Sequence, residues 1–242
     1  METFSNVFQC GAREFLPDNP VSQMAGHWRE NYFHNTHPII LELGCGRGEY
    51  TVGLARRYPD CNFIGIDIKG ARMWAGAKEA ELDHMTNVAF LRTNIELLPH
   101  FFAADEIDQI WITFCDPQMK KATKRLTSTW FMQRYQQIVK PNGTIHLKTD
   151  SPFLYTYTRE MLRINHYPVL ADTDDLYAHT SDPLLVDAAA LQTHYEKQWL
   201  DRGLTIKYLE WQLQHKSEWE EPTIEIEKDT YRSYGRNYNV TQ

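Results

Sequence analysis

An apolar run that ends in three alternately spaced glycines, at positions 38–49, constrains the fold of this chain more than any other segment. It reads Pro-Ile-Ile-Leu-Glu-Leu-Gly-Cys-Gly-Arg-Gly-Glu, which predicts a buried strand and then a tight turn. Glycine adopts backbone angles that are closed to other residues and, without a Cβ, lets a ligand lie against the main chain. Residues 49–58 show helical spacing and end before Pro59. Strand, glycine turn and helix form the first unit of a nucleotide-type α/β site.

The spacing of the glycines bears on which ligand the turn would hold. Glu42 precedes Gly44, Gly46 and Gly48, and this Gly-x-Gly-x-Gly pattern differs from the Gly-x-Gly-x-x-Gly of dinucleotide enzymes. It favours S-adenosylmethionine over a pyrophosphate cofactor. Asp67 strengthens this interpretation, because it ends the next apolar run at about the distance expected of an acidic residue that bonds both ribose hydroxyls. An ordinary strand-to-helix turn without a ligand is the alternative.

Length, charge and cysteine content narrow the class of protein. A chain of 242 residues is long enough for one sizeable α/β domain with a buried core. The formal net charge of -7 argues against a protein that is basic all over, although a local basic patch can still bind nucleic acid. The 4 cysteines are scattered and no histidines stand at metal-ligand spacing, so we expect a cytoplasmic protein without a metal. Neither a secretory leader nor a membrane-spanning run is expected.

Strand and helix patterns alternate from position 38 onward. Such alternation predicts a Rossmann-like α/β fold with a mostly parallel sheet of seven strands and helices on both faces. Residues 140–143 read as a turn, and 172–190 read as a loop with a partial helix. We expect a leader, 1–36, packed on a core domain, 37–213, and a C-terminal extension, 214–242. The predicted strands are 38–43, 62–67, 87–92, 107–114, 144–148, 167–170 and 204–213, and the predicted helices are 49–58, 71–84, 95–101, 127–139 and 152–165.

Groups suited to a ligand follow five of the predicted strands at the point where each strand ends. In sheets of this kind a ligand binds beyond the carboxyl ends of the strands, where the strand order reverses. The sequence therefore predicts one shared ligand site. The five groups are the glycine turn, Asp67, Asn94, Asp116 and the pair Thr149 and Asp150.

Several segments resemble one enzyme superfamily. Leu-Glu-Leu-Gly-Cys-Gly-Arg-Gly, Phe-Ile-Gly-Ile-Asp-Ile, Leu-Arg-Thr-Asn and Lys-Pro-Asn-Gly-Thr-Ile-His-Leu-Lys-Thr-Asp are similar to motifs of the class I S-adenosylmethionine-dependent methyltransferases. A narrower match lies at 114–121, Phe-Cys-Asp-Pro-Gln-Met-Lys-Lys, and at 193–196, Thr-His-Tyr-Glu. These resemble the Pro-Asp-Pro segment and the Thr-x-Tyr-Glu signature of the bacterial tRNA (guanine-N7)-methyltransferases. The resemblance covers roughly 39–213.

The resemblance implies that S-adenosylmethionine donates a methyl group to guanine N7 in tRNA, at guanosine 46 of the variable loop. Glu42 would orient the glycine turn or approach the amino group of the cofactor. Asn94 would bond the adenine edge with help from the backbone of Ile95, whereas a helix N-cap is the alternative for Asn94. The implied cofactor-binding residues are Glu42, Gly44, Gly46, Gly48, Asp67, Asn94 and Ile95.

Asp116 is the residue that we expect to act on the substrate. Guanine N7 has an in-plane lone pair and no proton, so its methylation needs no general base. A carboxylate can accept hydrogen bonds from the guanine N1 and N2 donors and oppose the positive charge that develops on the purine. Opening of a turn by Asp-Pro is the structural alternative.

A basic cluster and the family signatures supply the other predicted substrate contacts. The cluster would bind phosphate or form a solvated helix face, and Tyr195 would stack on a base or pack in the fold. Arg232 and Arg236 offer a second RNA contact or an oligomer arm. The cluster is Lys120, Lys121, Lys124 and Arg125, and the signature residues are Asp150, Thr193, Tyr195 and Glu196.

The sequence departs from the family pattern at the substrate side. Cys115 stands where the family usually has proline, and Gln118 and Met119 replace the usual aromatic or basic residues. Two other functions therefore stay open: a small-molecule methyltransferase, with 1–36 as a lid, and a binding subunit without turnover. Monomer and homodimer are both compatible with the sequence.

Overall fold

The computed structural model describes residues 4–9, 22–179 and 185–230, which are organised around an eight-stranded sheet. Across the sheet the order is β1-β4-β3-β2-β5-β6-β8-β7, where the first six strands run parallel and β8 is antiparallel to both of its neighbours. The strands are β1 (Val7–Gln9), β2 (Ile39–Leu43), β3 (Asn62–Asp67), β4 (Val88–Arg92), β5 (Ile107–Thr113), β6 (Val139–Thr149), β7 (Val169–Thr173) and β8 (Lys207–Gln212).

The position of β2 decides where a ligand can bind. β3 and β4 follow on one side of β2, whereas β5 and β6 lie on its other side. The strand order therefore reverses between β2 and β5, and sheets of this type bind ligands beyond the carboxyl ends of the strands at that point.

Helices cover both faces of the sheet. α1, α2, α5 and α6 pack on one face, and α3, α4 and a short π-helix, Trp28–Phe33, pack on the other. Successive strand residues point to opposite faces, so Leu41 joins one core layer while Ile40 joins the other, which explains why β2 is apolar throughout. In the described part of the chain, no helix combines the length and the apolar character that crossing a membrane would require. The helices are α1 (Glu49–Arg57), α2 (Gly70–Leu82), α3 (Thr129–Tyr135), α4 (Pro152–Ile164), α5 (Val186–Ala190) and α6 (His194–Asp201).

The predicted α/β fold with a mostly parallel sheet is confirmed, but the sheet has eight strands and not the seven expected. The additional strand, β1, falls within the predicted leader and pairs with β4 along its three residues. A segment this short carries no alternation that the sequence could reveal. Trp28, from the same leader, is fully buried and donates its Nε1 hydrogen to the carbonyl oxygen of Phe101 at 2.8 Å.

Two local predictions were wrong. Residues 140–143 do not form a separate turn before β6 but an irregular part of that strand, where Asn142 has φ 62° and its N–H donates to the carbonyl oxygen of Leu213. Residues 194–201, for which no element was predicted, form α6. The Thr-x-Tyr-Glu signature begins this helix: Thr193 and Glu196 each accept the backbone N–H of the other at 3.2 Å. This is a capping box, a pattern that marks a helix start in sequence.

Residues 214–230 of the predicted extension, here called the strap, cross the outer face of α3 and α4. The strap exchanges backbone-to-side-chain hydrogen bonds with Gln136 through Lys216 and with Asn165 through Glu220. Trp219 donates its Nε1 hydrogen to the hydroxyl of Tyr167 at 2.9 Å. The strap therefore packs along the core domain. The predicted contacts of Arg232 and Arg236 lie outside the described residues.

Candidate active site

A cavity of about 410 Å³ opens beyond the carboxyl ends of β2, β3, β4 and β5, where the strand order reverses. This volume is within the range of small-molecule sites. The cavity joins residues predicted to hold the cofactor with residues predicted to hold the substrate. The predicted residues that line it are Gly44, Asp67, Asn94, Ile95, Asp116 and Lys124.

The glycine turn leaves main chain open to a ligand at its first two glycines. Gly44, Gly46 and Gly48 have φ of +75°, +54° and +75°, a region that other residues rarely adopt. A Cβ at Gly44 would meet nothing within 4 Å, and one at Gly46 would meet only a carbonyl oxygen at 4.0 Å. A Cβ at Gly48 would instead lie 2.6 Å from the ring of Phe90. The first two glycines thus fit a bound cofactor, whereas Gly48 lets α1 pack closely on β4.

Asp67 at the end of β3 is fixed by the turn that it faces. Its Oδ2 accepts the N–H of Gly46 at 2.9 Å, and its Oδ1 accepts the N–H of Lys69 at 2.8 Å. Each carboxylate oxygen has a further lone pair, so both oxygens can still accept hydrogen bonds from a ligand. The partly exposed carboxylate lines the cavity, as the ribose-binding interpretation requires.

Glu42 is buried beneath the glycine turn and does not line the cavity. Its Oε2 accepts the N–H of Thr51 at 2.8 Å and also its hydroxyl, and its Oε1 accepts the hydroxyl of Thr113 at 2.7 Å. Burial raises the pKa of Glu42 to about 7, although the hydrogen bonds from Thr51 and Thr113 oppose this shift. Of its two predicted roles, orienting the glycine turn fits this position, because the carboxyl group links β2 to α1 and to β5.

The buried Glu42 predicts a pH-dependent stability. Its pKa rises from 4.5 in the unfolded chain to about 7 in the folded chain, so the folded chain holds the proton more tightly between these values. The free energy of unfolding should therefore fall as pH rises through this window, by at most about 3 kcal/mol. Gln at this position can accept from Thr51 and donate to Thr113, and it does not titrate. Urea unfolding of Glu42→Gln should show a flatter pH profile than the parent chain.

The exposed carboxylate of Glu79 offers a matched control for this measurement. In Glu79→Gln the free energy of unfolding should depend on pH as in the parent chain between pH 4.5 and 7, the unfolded and folded pKa values of Glu42. An equal slope in Glu42→Gln and in the parent chain would show that Glu42 does not cause the dependence.

Asn94 and Ile95 follow β4 and line the cavity beside Asp67. Asn94 takes the N-cap position of a short 3₁₀ helix, Ile95–His100, but its side chain makes no capping hydrogen bond. Its exposed amide can therefore face a ligand, which favours the adenine interpretation over the cap.

Asp116 lies in a strained loop after β5. Phe114 and Gln118 have φ of 49° and 48°, an uncommon region for residues other than glycine. Asp116 accepts the N–H of Gln118 at 2.9 Å through Oδ1, as a turn-opening aspartate does. The carboxylate is exposed and also lines the cavity. Both interpretations of Asp116 therefore apply, because the turn holds the carboxylate at the cavity.

The basic cluster is divided between surface and interior. Lys120 and Lys121 are exposed, and Lys124 pairs with Glu96 across the cavity rim. Arg125 has only 7% of its surface exposed. This burial does not fit the predicted phosphate contact, and we revise the role of Arg125 accordingly.

Arg125 instead connects the loop of Asp116 to α4. Its guanidinium donates to the carbonyl oxygens of Gln118 and Met119, each at 3.2 Å. It also lies 4.8 Å from the ring centre of Phe153 and 4.4 Å from that of Tyr157, two aromatic residues of α4. Cation–π contacts of this kind are stabilising when they are withdrawn from solvent.

A buried ion pair lies behind the substrate-side residues. Lys148 Nζ is 2.7 Å from the carboxylate of Glu196, and neither side chain has exposed surface. Lys148 also donates to the carbonyl oxygens of Ala188 and Leu191, and Tyr177 donates its hydroxyl hydrogen to Glu196. Burial lowers the pKa of Lys148 to about 8, against the opposing effect of Glu196. The enclosed Glu196 does not fit its predicted substrate contact and instead ties α6 to β6.

The other predicted substrate residues differ in exposure. Tyr195 is 47% exposed, which favours stacking on a base over packing in the fold. Thr193 caps α6, and the adjoining N–H of His194 donates to Glu49 of α1 at 3.0 Å. Asp150, directly after β6, has no exposed surface and does not line the cavity. The structure thus brings Asp116, and not Asp150 or Glu196, into the cavity with Asp67.

Sequence reasoning missed several residues that support this site. Lys148 carries a detectable signal, because a charged residue within an otherwise buried strand needs a partner. Thr51 and Thr113 carry none, since their hydroxyls gain a role only through the distant Glu42.

Comparison with solved structures supports the fold. The 16S rRNA methyltransferase KamB matches with a TM-score of 0.59 at 12% identity, over 77% of this chain and 92% of that one. A 16S rRNA (adenine(1408)-N(1))-methyltransferase from Catenulisporales acidiphilia, solved with its cosubstrate SAM, matches with a TM-score of 0.51 at 13% identity, over 77% and 90%. At such identities the likeness shows the fold alone.

Sequence comparison shows the family. A family model described as "Putative methyltransferase" matches residues 36–209. The tRNA (guanine-N(7)-)-methyltransferase of Bacteroides thetaiotaomicron is 58% identical, over 91% of this chain and 86% of that protein. The enzyme of the same name from Porphyromonas gingivalis is 56% identical, over 98% and 97%. The chain therefore belongs to the tRNA (guanine-N7)-methyltransferase family.

Proposed function

We propose that this chain methylates N7 of a guanine in tRNA with S-adenosylmethionine, and that this guanine is guanosine 46 of the variable loop. The observation that carries the proposal is the shared cavity: Asp116 lines it together with Gly44 and Asp67. A carboxylate fit to bind guanine thus lies beside an open glycine turn and a carboxylate fit to bind ribose. Membership of the family supports the choice of tRNA.

The glycine turn, Asp67 and Asn94 would hold the cofactor, which supplies an electrophilic methyl group when bound. Gly44 and Gly46 offer uncovered main chain, and Asp67 offers two oxygens with free lone pairs. Asn94 offers an amide without a capping bond. Glu42 would act from below by fixing Thr51 and Thr113 and, with them, the start of α1 and the end of β5.

Asp116 would align the guanine and oppose its developing charge. N7 attacks through an in-plane lone pair and loses no proton, so no side chain has to act as a general base. The chain contributes alignment of the reacting atoms and an electrostatic environment that favours a positive purine. Asp116 fits this task because its carboxylate is held by the N–H of Gln118 and still faces the cavity.

Lys120, Lys121 and Tyr195 would contact RNA outside the cavity, which none of them lines. The lysines follow Asp116 in the chain and are exposed, and Tyr195 exposes a ring that can stack on a base. A net charge of -7 disfavours RNA binding by the chain as a whole, so binding should concentrate at these exposed residues. A cytoplasmic location, where such RNA is found, and a monomeric or homodimeric state stay predictions.

Transfer of a labelled methyl group to unmodified bulk tRNA, followed by nucleoside analysis, tests the proposal. We expect labelled 7-methylguanosine, and mapping of the modified position should identify guanosine 46. Binding of S-adenosylmethionine without any transfer to tRNA would contradict the proposal and favour a small-molecule substrate or a binding subunit.

The two exposed lysines predict a salt-dependent contribution to binding. Lys120→Gln combined with Lys121→Gln should weaken tRNA binding and reduce the slope of log K against log salt by about 1 to 2, because fewer counterions are released. Fluorescence anisotropy with labelled tRNA at several salt concentrations measures this slope.

A control with the same change of charge uses Lys78 and Lys140, where Lys140 pairs with Asp108 far along β6 from the cavity. Lys78→Gln combined with Lys140→Gln should keep the parent slope. Equal slopes for the two double variants would mean that Lys120 and Lys121 do not contact phosphate.

A further inference from the structure

The last described residues of the strap lie at the start of α4, next to Asp150. Asp229 has 8% of its surface exposed. Its Oδ1 accepts the N–H of Phe153 at 3.1 Å, and its Oδ2 accepts the hydroxyl hydrogen of Ser151. A carboxylate at this place is stabilised by the unpaired N–H groups of the helix start and by the helix dipole.

This contact fixes the turn that carries Asp150. Ser151 accepts the N–H of Leu154 at 2.9 Å, and its own N–H donates to the hydroxyl of Thr149 at 3.1 Å. Residues on both sides of Asp150 are therefore held, one of them by the strap. Lys207 pairs with Thr149 across the sheet, and the charges of Asp150 and Asp229 both raise its pKa against the larger effect of burial. Asp150 and Asp229 thus both act on the charge of Lys207.

The same helix start also reaches the loop of Asp116. Phe153, whose N–H is held by Asp229, packs its ring on the guanidinium of Arg125 at 4.8 Å. Arg125 donates to the carbonyl oxygens of Gln118 and Met119, and the N–H of Gln118 donates to Asp116. A continuous series of contacts therefore joins the strap to the carboxylate in the cavity.

A second acidic residue of the strap, Glu221, contacts the other aromatic residue on which Arg125 packs. The carboxylate of Glu221 accepts the hydroxyl of Thr129 at 2.7 Å and the hydroxyl of Tyr157. Tyr157 is the other ring on which Arg125 packs, at 4.4 Å. The strap thus contacts both aromatic residues that enclose Arg125.

We propose that Asp229 is a positioning residue of the active site: by capping α4 it sets, through Phe153 and Arg125, the geometry of the loop that carries Asp116. This inference rests on the proposed methylation of guanine in tRNA. Asp229 touches no reacting atom. Its effect should appear in kcat and in the KM for tRNA, while the glycine turn and Asp67, on the other side of the cavity, keep their affinity for the cofactor.

Steady-state methylation by three single variants tests this role. Asp229→Ala should lower kcat at least tenfold, with the Kd for S-adenosylmethionine within twofold of the parent value. Asp229→Asn should recover most of the kcat, because the amide oxygen still accepts the Phe153 N–H and the group still bonds Ser151. Glu225→Ala, which removes an exposed carboxylate of the same strap, should match the parent chain.

Amide hydrogen exchange of residues 150–154 adds a readout that does not depend on activity. We expect faster exchange in Asp229→Ala and parent-like exchange in Asp229→Asn. Faster exchange in Asp229→Ala with an unchanged kcat would overturn the positioning role. The positioning role would also be overturned if Asp229→Ala and Asp229→Asn each lost both kcat and cofactor binding to the same extent, because this result would indicate a general loss of structure. A parent chain that makes no 7-methylguanosine would contradict the proposed function and not the capping contact.

Discussion

Replacing Asp116 by alanine is expected to lower kcat for tRNA methylation by about 100- to 1000-fold, which is the loss that follows removal of one preorganised group facing developing charge. The carboxylate lies at the cavity rim, where its turn holds it without enclosing it. The affinity for S-adenosylmethionine should change little, because the glycine turn and Asp67 do not depend on Asp116. Single-turnover methylation and calorimetric titration with the cofactor measure the two effects separately.

Asp67→Ala is the matched control for this variant. It removes a carboxylate from the same cavity, but from the side that faces the predicted ribose, and it also frees the N–H of Gly46. We expect weaker cofactor binding first, with activity restored in part at high cofactor concentration. Equal losses of cofactor binding in Asp67→Ala and Asp116→Ala would contradict the division of the cavity into a cofactor side and a guanine side.

Replacing Glu196 by alanine is expected to lower the free energy of unfolding by about 3 to 5 kcal/mol, since it leaves the charge of Lys148 buried without its carboxylate partner. In the parent chain the pair has no exposed surface, and burial lowers the pKa of Lys148 to about 8 although Glu196 raises it. The variant also removes half of the capping box that begins α6. Urea unfolding followed by tryptophan fluorescence measures the loss.

The double variant Lys148→Met with Glu196→Leu tests whether the loss of stability comes from the unpaired charge. Replacing both charges by apolar side chains of similar size should restore a large part of the stability, because no unpaired charge stays buried. Glu79→Ala, which breaks an exposed pair with Arg56, should cost less than about 1 kcal/mol. A loss in Glu196→Ala as small as that in Glu79→Ala would mean that Lys148 finds another partner or loses its proton.

The residues that could be predicted from the sequence share one property: each lies at the end of an apolar run or within a few residues after it. Asp67, Asn94 and Asp116 end β3, β4 and β5 or the turns after them, and parallel topology brings such ends to one edge of the sheet. Their grouping thus depends only on local patterns and on one rule of topology, which the confirmed fold obeys.

The residues that could not be predicted depend on partners far away in the chain. Arg125 reads as part of an exposed basic cluster, yet Phe153 and Tyr157 of α4 enclose it. Glu196 reads as a substrate contact, yet Lys148 of β6 neutralises it in the interior. In both cases a charged side chain is buried because of tertiary contacts, and the local sequence does not reveal these contacts.

The strap also determines when the site can form during synthesis. β2 to β6 and the helices between them precede residue 150, so the residues of the glycine turn and Asp67 are synthesised well before the strap. The cap on α4 comes from Asp229, which is synthesised 76 residues after its partner Phe153. The contact of Asp229 with α4 can therefore form only after β7 and β8 have been synthesised, later than every other part of the sheet.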